Sequence, residues 1–164
     1  MVFSNRLTTK AAFLLRQCQT QNLRLFTAES CTGGLVSSCL TAIPGASQVV
    51  EGGIVSYSND AKQILLGVPA PLINSRGAVS KEVACAMAEG AIARTKADVS
   101  IAITGVAGPD GGTKEKPVGL VHFSVAWSNN PTKHTLHQFK GDREEIQLES
   151  VDVAIDFLLK VLQK

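Results

Sequence analysis

Aromatic residues are scarce in this chain: six Phe, one Tyr and one Trp among 164 positions. Proteins that hold single-stranded nucleic acid stack bases on such rings, so few platforms for that task exist. Charge of one sign is lacking as well. Sixteen Lys and Arg against fourteen Asp and Glu leave a formal net charge of +2, with no basic cluster of the kind that marks a nucleic-acid binder. No stretch comes near the roughly 18 consecutive apolar residues of a membrane-crossing helix. The four cysteines, Cys18, Cys31, Cys39 and Cys85, form no CxxC pair. That argues against a structural zinc site and gives no disulfide framework, so a reducing, cytoplasmic setting is expected. Cys18, Cys39 and Cys85 read as small buried hydrophobes. No acid precedes Glu29, whereas Arg6, Lys10, Arg16 and Arg24 do. A basic, acid-free start is a transit-peptide trait. Leu7, Ala11, Leu14, Leu15 and Cys18 nevertheless fall at helical spacing and run into a strand without a linker, which reads as the core-facing stripe of a first helix.

What is present fits one globular α/β domain over 1–164: a hydrophobic fraction of 45% and a charged fraction of 18%, ordinary for a chain with a real core. The pattern predicts a helix over 4–21, a strand over Leu23–Ala28, and a short helix over Leu35–Ala42 ended by Pro44-Gly45. A strand over Val49–Tyr57 and one or two helical turns over Asn59–Leu66 come next, ended by Gly67. Val68–Leu72, with Pro69 and Pro71, reads as loop. Ser80 is the N-cap candidate of an alanine-rich helix reaching Thr95. Val99–Thr104 reads as a buried strand and Gly105–Lys116 as a glycine-rich loop. Val118–Trp127 and Lys133–Phe139 form a hairpin across Asn129-Asn130-Pro131. A last helix opens acidic at Asp142, Glu144 and Glu145 and closes on Lys160 and Lys164, the polarity that suits its dipole. Its expected buried stripe is Ile146, Val153, Ala154, Phe157, Leu158 and Val161. This order implies a sheet covered by helices on both faces.

Four constellations could carry chemistry. The first is Thr27-Ala-Glu-Ser-Cys-Thr-Gly-Gly34, where a strand enters a helix through a hydroxyl- and glycine-rich turn. Helix N-termini leave N–H groups unpaired and suit an oxyanion or phosphate. Ser30 and Thr32 are candidate N-caps, and Ser30 and Cys31 are both candidate nucleophiles. The second is Ser56-Tyr57-Ser-Asn-Asp-Ala-Lys62, with the sole tyrosine at a strand end. A serine nucleophile needs a proton acceptor. His122, His134 and His137 all lie far along the chain, and Lys62 can serve only if its pKa falls; alone, it reads as a solvated surface lysine. The third is Thr104-Gly-Val-Ala-Gly-Pro-Asp-Gly-Gly112 followed by Lys116-Pro-Val-Gly119. It is neither a GxGxxG fingerprint nor a P-loop, but glycines after a buried strand let a ligand approach the backbone. Ser30, Tyr57 and Gly105 each follow a strand and converge if those strands are parallel neighbours. The fourth is Gly141-Asp-Arg143, whose arginine either holds a phosphate or lies on a helix surface.

These four motifs, in this order and across nearly the whole chain, resemble the CinA C-terminal domain family, the stand-alone nicotinamide-nucleotide amidohydrolases of PncC type. The resemblance implies a three-layer α/β/α sandwich with a mixed sheet, and hydrolysis of nicotinamide mononucleotide to nicotinic acid mononucleotide and ammonia. It implies Ser30 as nucleophile with Tyr57 and Lys62 assisting proton transfer. Thr32, Gly33 and Gly34, whose N–H groups are expected to receive the oxyanion, join Thr104, Gly105, Ala107, Gly108, Gly111, Gly112 and Arg143 as substrate-binding residues. It implies no metal or other cofactor, a small nucleotide as partner rather than nucleic acid or membrane, and a homo-oligomer. Longer family members carry a further N-terminal domain, similar to molybdopterin-binding proteins, that these 164 residues lack, so its dinucleotide hydrolysis is not expected. One departure stands out: the family's Gly-Asp-Arg motif usually continues to a second arginine near position 147, where this chain has Gln147. Glutamine lacks the charged bidentate fork of arginine. A non-catalytic nucleotide-binding module, or an amidase for another small carboxamide, are the alternatives.

Overall fold

The computed structural model describes residues 3–163. In chain order it holds helix α1 (Asn5–Thr20), strand β1 (Leu25–Glu29), helix α2 (Leu35–Thr41), a 3-10 turn at Ala46–Gln48, strand β2 (Val50–Val55), helices α3 (Asn59–Leu66), α4 (Ala70–Arg76) and α5 (Lys81–Arg94), strands β3 (Val99–Gly105), β4 (Leu120–Trp127) and β5 (Asn130–Gln138), and helix α6 (Arg143–Leu162). The strands form one sheet in the order β2-β1-β3-β4-β5. β1 pairs in parallel with both β2 and β3, and β4 runs antiparallel to β3 and β5. The sheet is therefore mixed, as the family resemblance implies, and covered on both faces, as the element order predicts. Pleat alternation sorts the core into two layers. Leu25, Ile101, Ile103, Val121 and Phe123 pack with α1, α2 and α6, while Phe26, Ala28, Ala102 and Ala126 pack under α3, α4 and α5. β1 and most of β3 are buried on both sides, the signature of central parallel strands.

Four sequence expectations need correction. Residues 68–72 are not all loop, because α4 begins at Ala70 with Pro69 at the N-cap and Pro71 in the first turn. Proline there removes only N–H groups that the helix leaves unpaired anyway. The buried stripe of α6 is rotated. Val153, Phe157 and Val161 are half buried, and the inner line runs Ile146, Ser150, Ala154, Leu158, Leu162 with Val151 and Ile155 beside it. Ser150 hid this line, since its hydroxyl satisfies itself by donating to the Ile146 carbonyl at 2.7 Å. β5 starts at Asn130 rather than Lys133, across a tight turn in which Asn129 has φ 63°. Pro131 is tolerated there because β5 is a sheet edge. Cys18 and Cys39 are buried as expected, but Cys85 is only half buried, with its sulfur 3.3 Å from Ser124 Oγ.

A close backbone approach seats helix α3. It ends against α5 at Gly90, where a Cβ would collide with the Leu66 carbonyl oxygen. Alanine normally improves a helix interior over glycine by about 1 kcal/mol. Here Gly90→Ala is expected to destabilise the protein by about 1–3 kcal/mol through overpacking, read as a lower urea midpoint at unchanged slope.

On the α5 face, β4 and β5 carry a histidine pair, with His122 Nδ1 3.0 Å from His134 Nε2. Burial, His134 and Lys116 push His122 down to about 4, against a weaker opposing pull from Glu82. Burial and Lys81 lower His134 as well, again opposed by Glu82. The folded protein thus holds His122 neutral down to about 4 and disfavours the charged form of His134 as well, whereas the unfolded chain takes up protons below about 6.5. Stability is fully present above that value and falls as pH descends toward 4. Urea midpoints between pH 7.5 and 4.5 are expected to drop steeply in the wild type and less in His122→Gln.

Candidate active site

The three parallel strands deliver the first three motifs to one sheet edge. Pairing continues one residue beyond β1. Ser30 N–H donates to the Ile103 carbonyl at 2.9 Å and Ser56 N–H to the Glu29 carbonyl at 2.8 Å. The connection after β1 leads to one side of the sheet, to β2, and that after β3 to the other, to β4, so β1 and β3 flank the switch point at which open α/β sheets form their crevice. Helix α3 then starts at once, with Ser58 as N-cap accepting from Ala61 N–H at 3.0 Å. Helical side chains lean toward their own N-terminus, which sends the Lys62 stem back toward the ends of β1 and β2.

Lys62 is 1% exposed. Its Nζ lies 2.9 Å from Ser30 Oγ, 2.9 Å from the Ser56 carbonyl oxygen and 3.2 Å from the Tyr57 carbonyl oxygen. No carboxylate pairs with it among the described residues. Burial pulls its pKa below 10.5, since an unpaired buried ammonium is costly. The partners also settle where the lone pair of the neutral amine points. Carbonyls only accept, so they take the two N–H groups, and the lone pair faces the one partner able to donate, the Ser30 hydroxyl. No histidine lines this cleft. Cys31, the competing nucleophile, is buried and its thiol is pushed up to about 12, chiefly by desolvation. A thiol held that high is not a thiolate at neutral pH.

The N-terminus of α2 is already filled. Glu29, 1% exposed, takes the Thr32 hydroxyl at 2.7 Å and the N–H groups of Gly34 at 3.0 Å and Val36 at 3.1 Å on one carboxylate oxygen, and Ser37 N–H at 2.8 Å on the other. Gly33 N–H turns back to the Ser30 carbonyl at 3.0 Å. Neither Ser30 nor Thr32 caps the helix: the N-cap is Gly34, at φ 97°. The motif's own carboxylate satisfies the dipole and the orphan donors, so the N–H groups of Gly33 and Gly34 are not free for an oxyanion. Sequence reasoning passed over Glu29. The signal for it was an acid at the end of a strand that is otherwise apolar or hydroxylated, just ahead of a helix start.

The cleft encloses about 520 Å³, within the range of small-molecule sites. Ser30, Tyr57, Lys62, Thr104, Gly105, Ala107, Gly108, Gly111 and Arg143 line it, joined by Asn59, Ala78, Val79 and Asp110, which the motifs did not single out as site residues. Thr32, Gly33, Gly34 and Gly112 do not line it. Thr104 Oγ1 donates to the Ala78 carbonyl at 2.9 Å and so draws the α4–α5 loop onto the wall. Several loop glycines serve the chain itself rather than a ligand. A Cβ on Gly105 would meet the Leu120 carbonyl oxygen at 2.6 Å, one on Gly108 the Val118 side chain at 2.6 Å, and one on Gly112 the Val118 nitrogen at 2.9 Å.

Helix α6 closes the site from below. Arg143, in its first turn, donates from Nη1 to the Gly108 carbonyl at 2.7 Å and from Nη2 to the Tyr57 hydroxyl at 2.9 Å. One turn on, Gln147 Nε2 donates to the Cys31 carbonyl at 2.8 Å. Gln147 therefore braces the turn that carries Ser30, where a neutral amide suffices. The Tyr57 phenol bonds Arg143, and only its backbone carbonyl reaches Lys62.

Residues 7–162 match the model of the CinA C-terminal domain. A CinA-like protein of Geotalea uraniireducens is 53% identical over 135 residues, 82% of this chain and 32% of that protein. One of Prochlorococcus marinus is 48% identical, over 88% of this chain and 34% of its own length. The chain thus spans about a third of the curated relatives it matches. Among solved structures, the competence/damage inducible protein CihA of Agrobacterium tumefaciens superposes with a TM-score of 0.95 at 40% identity, covering 99% of this chain and 98% of that one. A competence-damaged protein (CinA) superfamily protein of Escherichia coli gives 0.91 at 35% identity, over 97% and 93%.

Replacing Glu29 by Gln keeps its shape but turns an amide NH₂ toward N–H donors. The loss of charge-assisted bonds and the unsatisfied donors are expected to cost about 2–4 kcal/mol. Chemical denaturation checks the loss, and hydrogen exchange at Val36 and Ser37 checks its place.

Proposed function

Given that the chain belongs to the CinA C-terminal domain family, we propose that its cleft hydrolyses the carboxamide of nicotinamide mononucleotide, yielding nicotinic acid mononucleotide and ammonia. The 2.9 Å contact between Ser30 Oγ and a buried Lys62 without a counter-ion carries this reading. Ser30 Oγ attacks the carboxamide carbon while its proton passes to Lys62. The C–N bond then breaks as the Lys62 ammonium returns that proton to the leaving nitrogen, releasing ammonia. Water, deprotonated by the again-neutral Lys62, attacks the acyl-serine; the ester C–O bond breaks as Lys62 returns the proton to Ser30 Oγ, freeing the acid. Serine–lysine pairs of this kind need the amine neutral at working pH, which burial favours here. The N–H groups of Gly34, Val36 and Ser37 are committed to Glu29 and do not serve as oxyanion donors. No step requires a metal, and no group of three or more His, Cys, Asp or Glu among the described residues is arranged to hold one. No described helix is long and apolar enough to cross a membrane, and a small soluble nucleotide suits an open cleft of this size.

Ammonia release from nicotinamide mononucleotide is the direct test. Ser30→Ala is expected to lose about a thousandfold or more in kcat, and Lys62→Ala at least about a hundredfold, with near-wild-type melting for Ser30→Ala. The acidic limb of kcat/KM should lie below the ordinary lysine value of 10.5. Substantial turnover by Ser30→Ala would sink the assignment.

A further inference from the structure

The phenol of Tyr57 has no path to the proton-transfer pair. Lys62 Nζ is bonded to Ser30 Oγ and to the Ser56 and Tyr57 carbonyls, while the Tyr57 hydroxyl accepts from Arg143 Nη2 at 2.9 Å. That phenol belongs to a side chain 59% exposed, at the rim of the cleft. Arg143 is held on its other side by the Gly108 carbonyl at 2.7 Å. Both holders are neutral oxygens, and no carboxylate pairs with this guanidinium among the described residues. The result is a cation fixed across the mouth, its charge uncompensated and three of its five N–H donors unspent. A planar fork of that kind suits a phosphate monoester. Asp110 also lines the cleft, a carboxylate in no ion pair among the described residues.

From this geometry we infer that Tyr57 is a positioning residue: it clamps Arg143 for the phosphate of the substrate and takes no part in proton transfer. The inference rests on the amidohydrolase reading of the cleft. The same residue's carbonyl orients Lys62, so one tyrosine sets both the base and the anion site through different atoms.

The experiment compares nicotinamide mononucleotide with its dephosphorylated riboside in wild type, Tyr57→Phe, Arg143→Ala and the double variant. Loss of one hydrogen bond to the charged guanidinium should shrink the preference for the phosphorylated amide about tenfold in Tyr57→Phe, through KM. Arg143→Ala should remove that preference, the double variant should add little, and the acidic limb of the pH profile should stay in place. An equal fall in kcat for both amides, near the hundredfold of a lost acid or base, would overturn the inference. So would an unchanged preference. If wild type releases ammonia from neither amide, the amidohydrolase reading fails separately. Calorimetric titration with nicotinic acid mononucleotide and its riboside then decides. Weaker binding of the phosphorylated ligand alone in Tyr57→Phe supports the clamp, and equal affinities overturn it.

Discussion

Everything at this site depends on burying one lysine with no acid beside it. An amine 1% exposed cannot stay protonated at its solution affinity, because desolvation penalises the charge and nothing opposite repays it. The surrounding oxygens then give the neutral amine a direction. Two backbone carbonyls, at Ser56 and Tyr57, consume its hydrogens, leaving the lone pair for Ser30. These carbonyls sit where they do because β2 lies parallel to β1 and the ladder extends one residue past both strands. The amine reaches them because α3 starts directly after β2 and is seated against Gly90 of α5. A serine, a lysine and the register of two strands thus form one unit.

Glu29 performs the complementary task. A helix N-terminus at a cleft attracts anions, and this one is neutralised internally by a carboxylate taking three N–H groups and a hydroxyl. The turn carrying Ser30 is tied from within by Glu29 and from outside by Gln147, which holds the Cys31 carbonyl. Support from both sides fixes where the Ser30 hydroxyl meets Lys62, and position to within about 1 Å is what hydroxyl chemistry of the proposed kind requires. Helix α6 adds no group to the Ser30–Lys62 pair, yet its first two turns brace the turn carrying Ser30 through Gln147 and hold Arg143 across the mouth.

Much of the architecture was legible beforehand because it follows from local rules. A short apolar run between turn signals marked β3, the stripe Leu7 to Cys18 marked α1, and strand-end motifs marked the crevice. What failed has specific causes. Prolines at 69 and 71 looked like breakers because only position within a helix makes them harmless. Ser150 broke the apolar stripe of α6 because its hydroxyl is satisfied by the helix backbone. The role of Gln147 could not be seen, since its partner lies 116 residues away.

The sequence by itself determined which residue types gather at the strand ends, and that Ser30, Lys62 and Arg143 belong to motifs with chemical potential. It also determined the alternation of elements that builds a mixed sheet under two helical layers, because periodicity and turn chemistry are local properties. Only the tertiary structure decided what each of those residues touches. It turned Lys62 from an ordinary surface cation into a buried amine aimed at Ser30. It gave the α2 N-terminus to Glu29 instead of a ligand, silenced Cys31 by desolvation, and set the Tyr57 phenol on Arg143. Burial and hydrogen-bond direction are fixed by groups distant in sequence, and those two quantities set the protonation state and aim of every group in the cleft.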